Sequence, residues 1–173
     1  MIIGGNGAGK TTFSEKLRDQ LQLPLVHLDA LYWRDNWQAA SHEEFDALLM
    51  RELVKPRWIM DGNMHRTIPM RLPYCDTVIY MDYSTLRCVC GVIKRSVQNH
   101  GKSRPDMGGC CPEKFDRRTF SFIRSVWQFN KKNRKRYYEM LDEACGAEII
   151  ILKNRRQTKA FLLRTERTDK IPL

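Results

Sequence analysis

Eight consecutive residues near the start of the chain have the types and spacing of a phosphate-binding loop. They match the pattern G-x-x-x-x-G-K-[ST] at every required position and are Gly4, Gly5, Asn6, Gly7, Ala8, Gly9, Lys10 and Thr11. Backbone N–H groups must approach phosphate oxygens closely in such a loop, and a Cβ at Gly4 or Gly9 would block that approach. Lys10 adds a compact positive charge for the β- and γ-phosphates, and Thr11 adds a hydroxyl for Mg²⁺. We therefore expect residues 4–12, with Thr12 in the first helical turn, to bind ATP together with Mg²⁺.

Three aspartates stand at the ends of apolar, strand-like runs: Asp29, Asp61 and Asp82. Ligands of parallel α/β sheets bind beyond the carboxyl ends of the strands. Asp61 is the strongest candidate for a carboxylate on the Mg²⁺ side, with the capping of a turn as the alternative, whereas for Asp82 the capping role is favoured. Asp29 has two open interpretations, a general base for a hydroxyl acceptor or a cap of the following turn.

A glycine-rich, basic segment between about residues 99 and 114 predicts a loop in the position of a lid. Arg104 lies in this segment, and Arg95 comes shortly before it. Closing lids supply positive charge to a phosphate in transit, so both arginines are predicted to be catalytic, with a solvated surface position as the alternative. Trp33 is predicted either to stack on an acceptor base or to pack in the core.

The apolar runs that position these residues alternate with helix-like sequence. The runs cover residues 1–3, 25–28, 58–60, 78–81 and 149–152. This alternation predicts an α/β fold of three layers, with a five-stranded parallel sheet flanked by helices and the strand order 2-3-1-4-5. We expect one domain over residues 1–173, with an acceptor-binding segment at about 29–72. His27, inside the second run, is expected to be a satisfied core residue.

The predicted helices have recognisable starts and apolar faces. Ser41 and Glu44 form a capping box before a helix. The helix after Asp82 has an apolar side formed by Leu86, Val89, Ile93 and Val97. A later, longer helical stretch carries Phe120, Ile123, Trp127, Tyr137 and Leu141.

Composition limits the class of protein. The chain has 173 residues and a net charge of +10, and no apolar run approaches the roughly 20 residues that span a bilayer. The spacing of its six cysteines matches no zinc site and no secreted disulfide framework, so free thiols in the cytoplasm are expected. The charge suits ligands that carry several phosphates. Nucleic acid is the less favoured partner, because the basic run at residues 131–136 would spread around a helix as a solvated surface. The first strand is short, and we expect the natural chain to extend beyond Met1.

Residues 58–67, W-I-M-D-G-N-M-H-R-T, resemble the third-strand segment of adenylate kinases. The chain is more closely similar to the DNA topology modulation proteins, an adenylate kinase-related branch of the P-loop kinases. That similarity is carried by residues 27–33, 61–63, 101–107 and 111–116, which read H-L-D-A-L-Y-W, D-G-N, G-K-S-R-P-D-M and C-P-E-K-F-D.

The resemblance implies an ATP-dependent phosphotransferase that moves the γ-phosphate to a small acceptor. A nucleoside monophosphate is the preferred acceptor, a hydroxylated metabolite the second, and a nucleotide-regulated DNA-binding protein the rival from another class. Arg87 resembles the arginine that lies over the donor base in related kinases, and Asp29 resembles the acceptor-binding aspartate of shikimate and gluconate kinases. The expected acceptor-binding residues are Asp29, Trp33, Asn63, Arg66 and Arg71.

Overall fold

The computed structural model describes residues 1–114, 116–144 and 146–168. Its strands are β1 (Ile2–Gly4), β2 (Leu25–His27), β3 (Trp33–Arg34), β4 (Gln38–Ala39), β5 (Ile59–Asp61), β6 (Thr77–Met81) and β7 (Glu148–Leu152). Its helices are α1 (Lys10–Leu21), α2 (Leu28–Tyr32), α3 (His42–Leu53), α4 (Ile68–Arg71), α5 (Thr85–Gln98), α6 (Arg117–Asp142) and α7 (Arg155–Thr168).

Five of these strands form one parallel sheet in the order β2-β5-β1-β6-β7. Counted among themselves along the chain, they have the order 2-3-1-4-5. Register places Ile2 beside both Asp61 and Ile79, so β1 lies in the middle of the sheet. The predicted α/β class with a five-stranded parallel sheet is confirmed. The numbering differs because β3 and β4, which were not predicted, form a separate antiparallel hairpin.

Alternation along the central strands divides the core between the two faces of the sheet. Ile2 and Ile79 pack with Phe13 and Leu17 of α1, whereas Ile3 and Val78 pack with helix α6 on the other face. A third cluster joins α3 to β2 and β5. Ser41 caps α3 as predicted, because its hydroxyl accepts the N–H of Glu44 at 3.1 Å.

Most of the residues predicted to form the apolar side of α5 are exposed. Leu86, Ile93 and Val97 are 64%, 42% and 59% exposed, while Val89 is buried together with Cys88 and Val92. The helix carries two apolar stripes, and it packs the one that places Gly91 against the phosphate-binding loop. A Cβ at Gly91 would lie only 2.1 Å from the carbonyl oxygen of Gly7. On α6, Phe120 and Trp127 are likewise exposed, whereas Tyr137 and Leu141 are buried.

Among the described helices, none combines the length and apolar character needed to cross a bilayer. The cysteines that the structure describes are free thiols, and Cys145 lies outside the described residues.

Candidate functional site

The phosphate-binding loop connects the end of β1 to the start of α1. Gly9 is the N-cap of α1, adopts a φ of 93° and provides no side-chain cap. The first N–H donated within the helix is that of Phe13, to the carbonyl of Gly9 at 3.0 Å. The N–H groups of residues 10–12 precede it and have no acceptor of the helical type. This end of α1 is therefore suited to an anion.

The loop glycines are required for different reasons. A Cβ at Gly4 would lie 2.5 Å from the carbonyl oxygen of Met81, and one at Gly7 would lie 2.1 Å from that of Cys88. Gly9 has no heavy atom within 4 Å of the corresponding position, but its positive φ favours glycine. At Gly4 the structure thus gives a reason for glycine that the sequence did not predict, which is close packing against β6.

Lys10 and Thr11 contact the groups that surround the loop. The ammonium of Lys10 donates to the carbonyls of Gly4 and Gly5 at 3.0 and 3.3 Å. Burial lowers its pKa, against the opposing charges of Asp61 and Asp29. The hydroxyl of Thr11 donates to Asp61 Oδ2 at 3.0 Å, which brings together the two residues predicted to lie on the metal side. Thr12, also predicted to bind the nucleotide, is exposed on the first turn of α1.

Asp61 ends β5 and is only 5% exposed. Its Oδ2 also contacts His27 Nδ1 at 3.2 Å. Its Oδ1 is buried and has no hydrogen-bond partner among the described residues. Burial would lower the pKa of His27, but the hydrogen bond and charge of Asp61, with that of Asp106, raise it above the ordinary value. His27 is thus a partner of the site rather than a residue of the apolar core.

The lid segment and the last turn of α5 together bring two arginines and two carboxylates to the loop. Arg104 lies 2.9 Å from Asp106 and 3.3 Å from Glu113. Arg95 lies 3.7 Å from the same Glu113 oxygen, and burial lowers its pKa. Asp106 approaches the Thr11 hydroxyl at 3.3 Å. Both predicted lid arginines are therefore close to the phosphate-binding loop.

Asp29 stands on α2 at the exit of β2, at the edge of the same cluster. Its carboxylate is 42% exposed and lies 4.0 Å from Arg104. Partial burial raises its pKa, and the charges of Arg104 and Lys10 act in the opposite direction. The backbone carbonyl of Asp29 accepts the N–H of Trp33 at the end of α2, while the N-cap position of this helix is His27, so the Asp29 carboxylate is not its cap. The carboxylate is therefore available to a ligand in the cleft.

The lid rests on the β3–β4 hairpin. The carboxylate of Asp35 accepts the N–H of Cys110 at 2.6 Å, and the indole N–H of Trp37 donates to the carbonyl of Pro112 at 3.2 Å. Asn36 donates its N–H to the carbonyl of Cys110 at 2.9 Å. Trp33 makes edge-to-face contacts with Tyr32 and Trp37 and is only partly exposed. Its ring forms part of a wall beside the lid.

Three predicted acceptor-binding residues are engaged elsewhere. Arg66 forms a two-pronged pair with Asp46 of α3, at 2.8 and 2.6 Å, on the protein surface. Arg71 is fully buried and donates to backbone carbonyls, among them that of Gly62 at 3.2 Å. Asn63 accepts the N–H of Gly4 at 3.0 Å and so supports the phosphate-binding loop. In this structure each of the three side chains therefore has a partner within the protein, and their role toward an acceptor stays a prediction.

Arg87 and Asp82 lie at either side of the start of α5. Arg87 is partly exposed. It precedes Cys88, whose carbonyl packs against Gly7 of the loop. Asp82 is buried and accepts Arg134 at 2.7 Å and the Tyr138 hydroxyl at 2.8 Å. These contacts tie it to α6, so its side chain is structural, but it does not cap the following turn, the role favoured from the sequence.

Asp106 and Glu113 were not among the predicted site residues. Their only signal was that both occur in the segments 101–107 and 111–116 that resemble a family, of which Phe115 lies outside the described residues. Their placement depends on how the lid folds back, since Asp106 is 95 positions from Thr11.

One exposed face of α6 combines aromatic and basic side chains. Phe120 and Trp127 are 69% and 57% exposed. Residues spaced by three or four positions share a helix face, and the exposed cations on this one are Arg117, Arg124, Lys131 and Lys135. We call this set the α6 stripe.

Comparisons with known proteins match this chain only at the level of structure. No family model matches it, and neither does any curated protein. A solved protein from Chloroflexus aurantiacus J-10-fl, described as a "putative kinase", is 18% identical over 96% of each chain with a TM-score of 0.56. A shikimate kinase from Bacteroides thetaiotaomicron is 14% identical over 98% of this chain and 96% of its own, with a TM-score of 0.46. The second score is too low to bear on the fold, but the first match, the sheet order and the loop together give this chain the α/β fold of P-loop nucleotide-binding proteins.

Proposed function

We propose that this chain is an ATP- and Mg²⁺-dependent phosphotransferase that moves the γ-phosphate to a small acceptor. The observation that carries the proposal is the convergence of Lys10, Thr11 and Asp61 with Arg104 of the lid. Phosphoryl transfer needs positioning and positive charge rather than covalent help from the protein, and this cluster supplies both.

Each residue has a role that its position supports. Lys10 and the N–H groups that begin α1 would bind the β- and γ-phosphates, and Arg87 would lie beside the donor base. Thr11 and Asp61 would hold Mg²⁺, and the unpartnered oxygen of Asp61 fits that assignment. Bound Mg²⁺ neutralises charge on the phosphate oxygens. Arg95 and Arg104 would stabilise the phosphate in transit from the lid side.

The acceptor that suits this geometry best is a hydroxyl group. Asp29 is an available carboxylate with a raised pKa at the edge of the cleft, and a hydroxyl acceptor benefits from a base near its proton. A nucleoside monophosphate would need cationic side chains for its phosphate, but Arg66 and Arg71 are engaged elsewhere. We therefore place a hydroxylated metabolite before a nucleoside monophosphate, which reverses the preference from the sequence.

We also propose that the chain belongs with the DNA topology modulation proteins. The segments that resemble that family contain Asp29, Asp61, Arg104, Asp106 and Glu113, and these side chains meet in one cluster. Residues from all four of these segments therefore lie close together, which supports a common functional site and hence membership of that family.

The proposal is tested by measuring ADP release from Mg²⁺-ATP with a panel of hydroxylated metabolites and nucleoside monophosphates. We expect one class of acceptor to stimulate release. The Lys10→Ala variant should lose at least 10²-fold in rate, because a preorganised charge at the moving phosphate is removed. If ATP binds but no acceptor in a broad panel stimulates release, the phosphotransferase assignment is contradicted.

A nucleotide-regulated nucleic-acid-binding protein is the second candidate, and the α6 stripe favours it. Interleaved aromatic rings and cations can stack on bases and neutralise phosphates in single-stranded nucleic acid. The test is binding to a labelled single-stranded oligonucleotide at several salt concentrations. Affinity that falls steeply with salt and with Trp127→Ala would support this function, because phosphate contacts release counterions. No binding above background at low salt would remove it.

A further inference from the structure

Two buried carboxylates approach the single hydroxyl of Thr11. Asp61 Oδ2 lies 3.0 Å from it and Asp106 Oδ2 lies 3.3 Å from it. The two residues are 5% and 7% exposed. A hydroxyl carries one proton and can donate to only one of these oxygens. The other oxygen therefore faces a hydroxyl oxygen that offers it no proton.

The neighbouring cations do not fully neutralise the negative charges of Asp61 and Asp106. Arg104 donates to Asp106 Oδ2 at 2.9 Å, but Lys10 donates to loop carbonyls rather than to either carboxylate. The second oxygen of Asp61 is buried without a partner among the described residues. A triphosphate at the loop would bring further negative charge. Carboxylates crowded beside phosphates are stable only when a cation lies between them.

We propose that Asp106 is a further residue of the Mg²⁺ site. The lid places its carboxylate beside Thr11 and Asp61, the other two residues of that site. This inference rests on the proposed nucleotide-binding function. Hydroxyl and carboxylate oxygens are the donors that Mg²⁺ prefers, and the ion is normally completed by substrate phosphates. Within the described part of the chain, no group of three or more His, Cys, Asp or Glu side chains could hold a metal by itself. In this proposal the phosphates of the bound nucleotide supply the remaining oxygen ligands, and the lid residue joins the ion there.

The competing interpretation is that Asp106 is a latch that blocks Thr11. A latch needs only one acceptor for the hydroxyl, and Asp61 already provides it at the shorter distance. The two interpretations predict opposite effects of removing the charge at position 106. A metal-side carboxylate strengthens binding when Mg²⁺ is present, whereas a latch weakens binding whether or not Mg²⁺ is present.

The experiment is calorimetric titration with the non-hydrolysable analogue AMP-PNP, once with Mg²⁺ and once with EDTA. The ratio of the two affinities is the metal enhancement. We expect Asp106→Asn to reduce this enhancement by about 10-fold or more, the scale seen when residues around a metal are changed. Its affinity in EDTA should not fall below that of the wild type, because the amide oxygen can still accept from Arg104 and a negative charge beside the phosphates is removed.

Further variants serve as controls for this experiment. Asp61→Asn should also lose the enhancement, and Asp19→Asn, which changes an exposed carboxylate paired with Arg18, should keep it. If Asp106→Asn does not fold, as judged by circular dichroism, Asp106→Ser replaces it. The lid can be tested separately with Asp35→Ala, which removes the acceptor for Cys110 but keeps Asp106, and which should weaken the enhancement by a smaller factor.

Each alternative result overturns the inference in its own way. An unchanged enhancement in Asp106→Asn would show that the carboxylate does not act on the metal. Tighter binding both in Mg²⁺ and in EDTA would establish the latch. Wild-type protein that binds the analogue under neither condition would contradict the proposed function itself, and with it this inference.

Discussion

Arg71 and Arg66 show how the same residue type serves two different purposes in one segment. The guanidinium of Arg71 is buried and donates to the carbonyls of Gly62, Asn63, Met64 and Thr67. The guanidinium of Arg66 is 44% exposed and pairs with Asp46. Arg71 therefore holds the turn that follows β5, whereas Arg66 joins two surface elements.

We predict that Arg71→Gln lowers the free energy of unfolding by about 3 kcal/mol, because buried carbonyls lose their charged donor. Arg66→Gln, the matched change, should leave the unfolding free energy close to that of the wild type, since exposed ion pairs contribute little. Urea denaturation followed by circular dichroism measures both. Equal losses for the two variants would show that burial does not separate their roles.

Asp29 gives a prediction for the pH dependence of the reaction. Burial raises the pKa of this carboxyl above its ordinary value of 3.8. A general base must be deprotonated, so kcat should fall as the pH is lowered through that raised pKa. Asp29→Asn should reduce kcat by roughly 10²-fold or more, with a smaller change in KM, and should abolish the fall in kcat at low pH. If the variant keeps both the rate and the fall at low pH, Asp29 has a structural role.

Which single residues could be predicted from the sequence depends on how local their surroundings are. Lys10 and Thr11 belong to a short motif whose conformation is set by its own glycines. Asp61 ends a strand whose neighbour in the sheet carries the loop, so its placement follows from topology. Asp106 could not be placed, because its contact with Thr11 depends on the folding of the lid. The pairing of Arg66 could not be predicted, because its partner, Asp46, belongs to a helix twenty positions earlier.

Among the elements, α5 supports the phosphate-binding loop from behind. The backbones of Gly91 in α5 and Gly7 in the loop are in direct contact. An added side chain at Gly91 could therefore be accommodated only if the backbone moved. This contact positions the loop without touching the nucleotide.

We predict that Gly91→Ala weakens AMP-PNP binding by at least 10-fold, because the added methyl would lie 2.1 Å from the Gly7 carbonyl and displace the loop. Alanine is the better helix former, so the loss cannot come from helix propensity. Calorimetric titration measures the affinity. Cys90→Ala, on the exposed neighbouring position, is the control and should bind normally. Wild-type affinity in Gly91→Ala would contradict a rigid contact.

The sheet could be predicted because its strands are strongly apolar and its central strands are buried, and each strand is separated from the next by a helical pattern. The β3–β4 hairpin could not, since each strand has two residues and its turn places Asn36 and Trp37 at positive φ. Positive φ is unusual for tryptophan, and contacts with the lid stabilise it here. The orientation of α5 was also missed, because two apolar stripes compete and the buried one is recognised only from tertiary contacts, among them the close approach of Gly91 to Gly7.

At the scale of the whole molecule, ligand binding should be visible as stability. A ligand that binds only the folded state stabilises it by about 2.7 kcal/mol at one hundred times its Kd. For a domain of this size that corresponds to a rise in Tm of roughly 5–10 °C. We predict such a rise with Mg²⁺ and AMP-PNP, measured by scanning calorimetry, and none for Lys10→Ala. A rise that persists in Lys10→Ala would place the ligand at a different site.

The lid contacts both halves of the cleft at once. Through Arg104 and Asp106 it faces the phosphate-binding loop, and through Cys110 and Pro112 it rests on the hairpin that follows Asp29. If the chain binds a donor and an acceptor as proposed, a single segment shared in this way would make the binding of one depend on the binding of the other. Whatever factor the donor adds to the affinity for the acceptor, the acceptor must add to the affinity for the donor. If the proposed function is right, the protein should therefore show synergistic binding, in which each apparent Kd depends on the concentration of the other ligand.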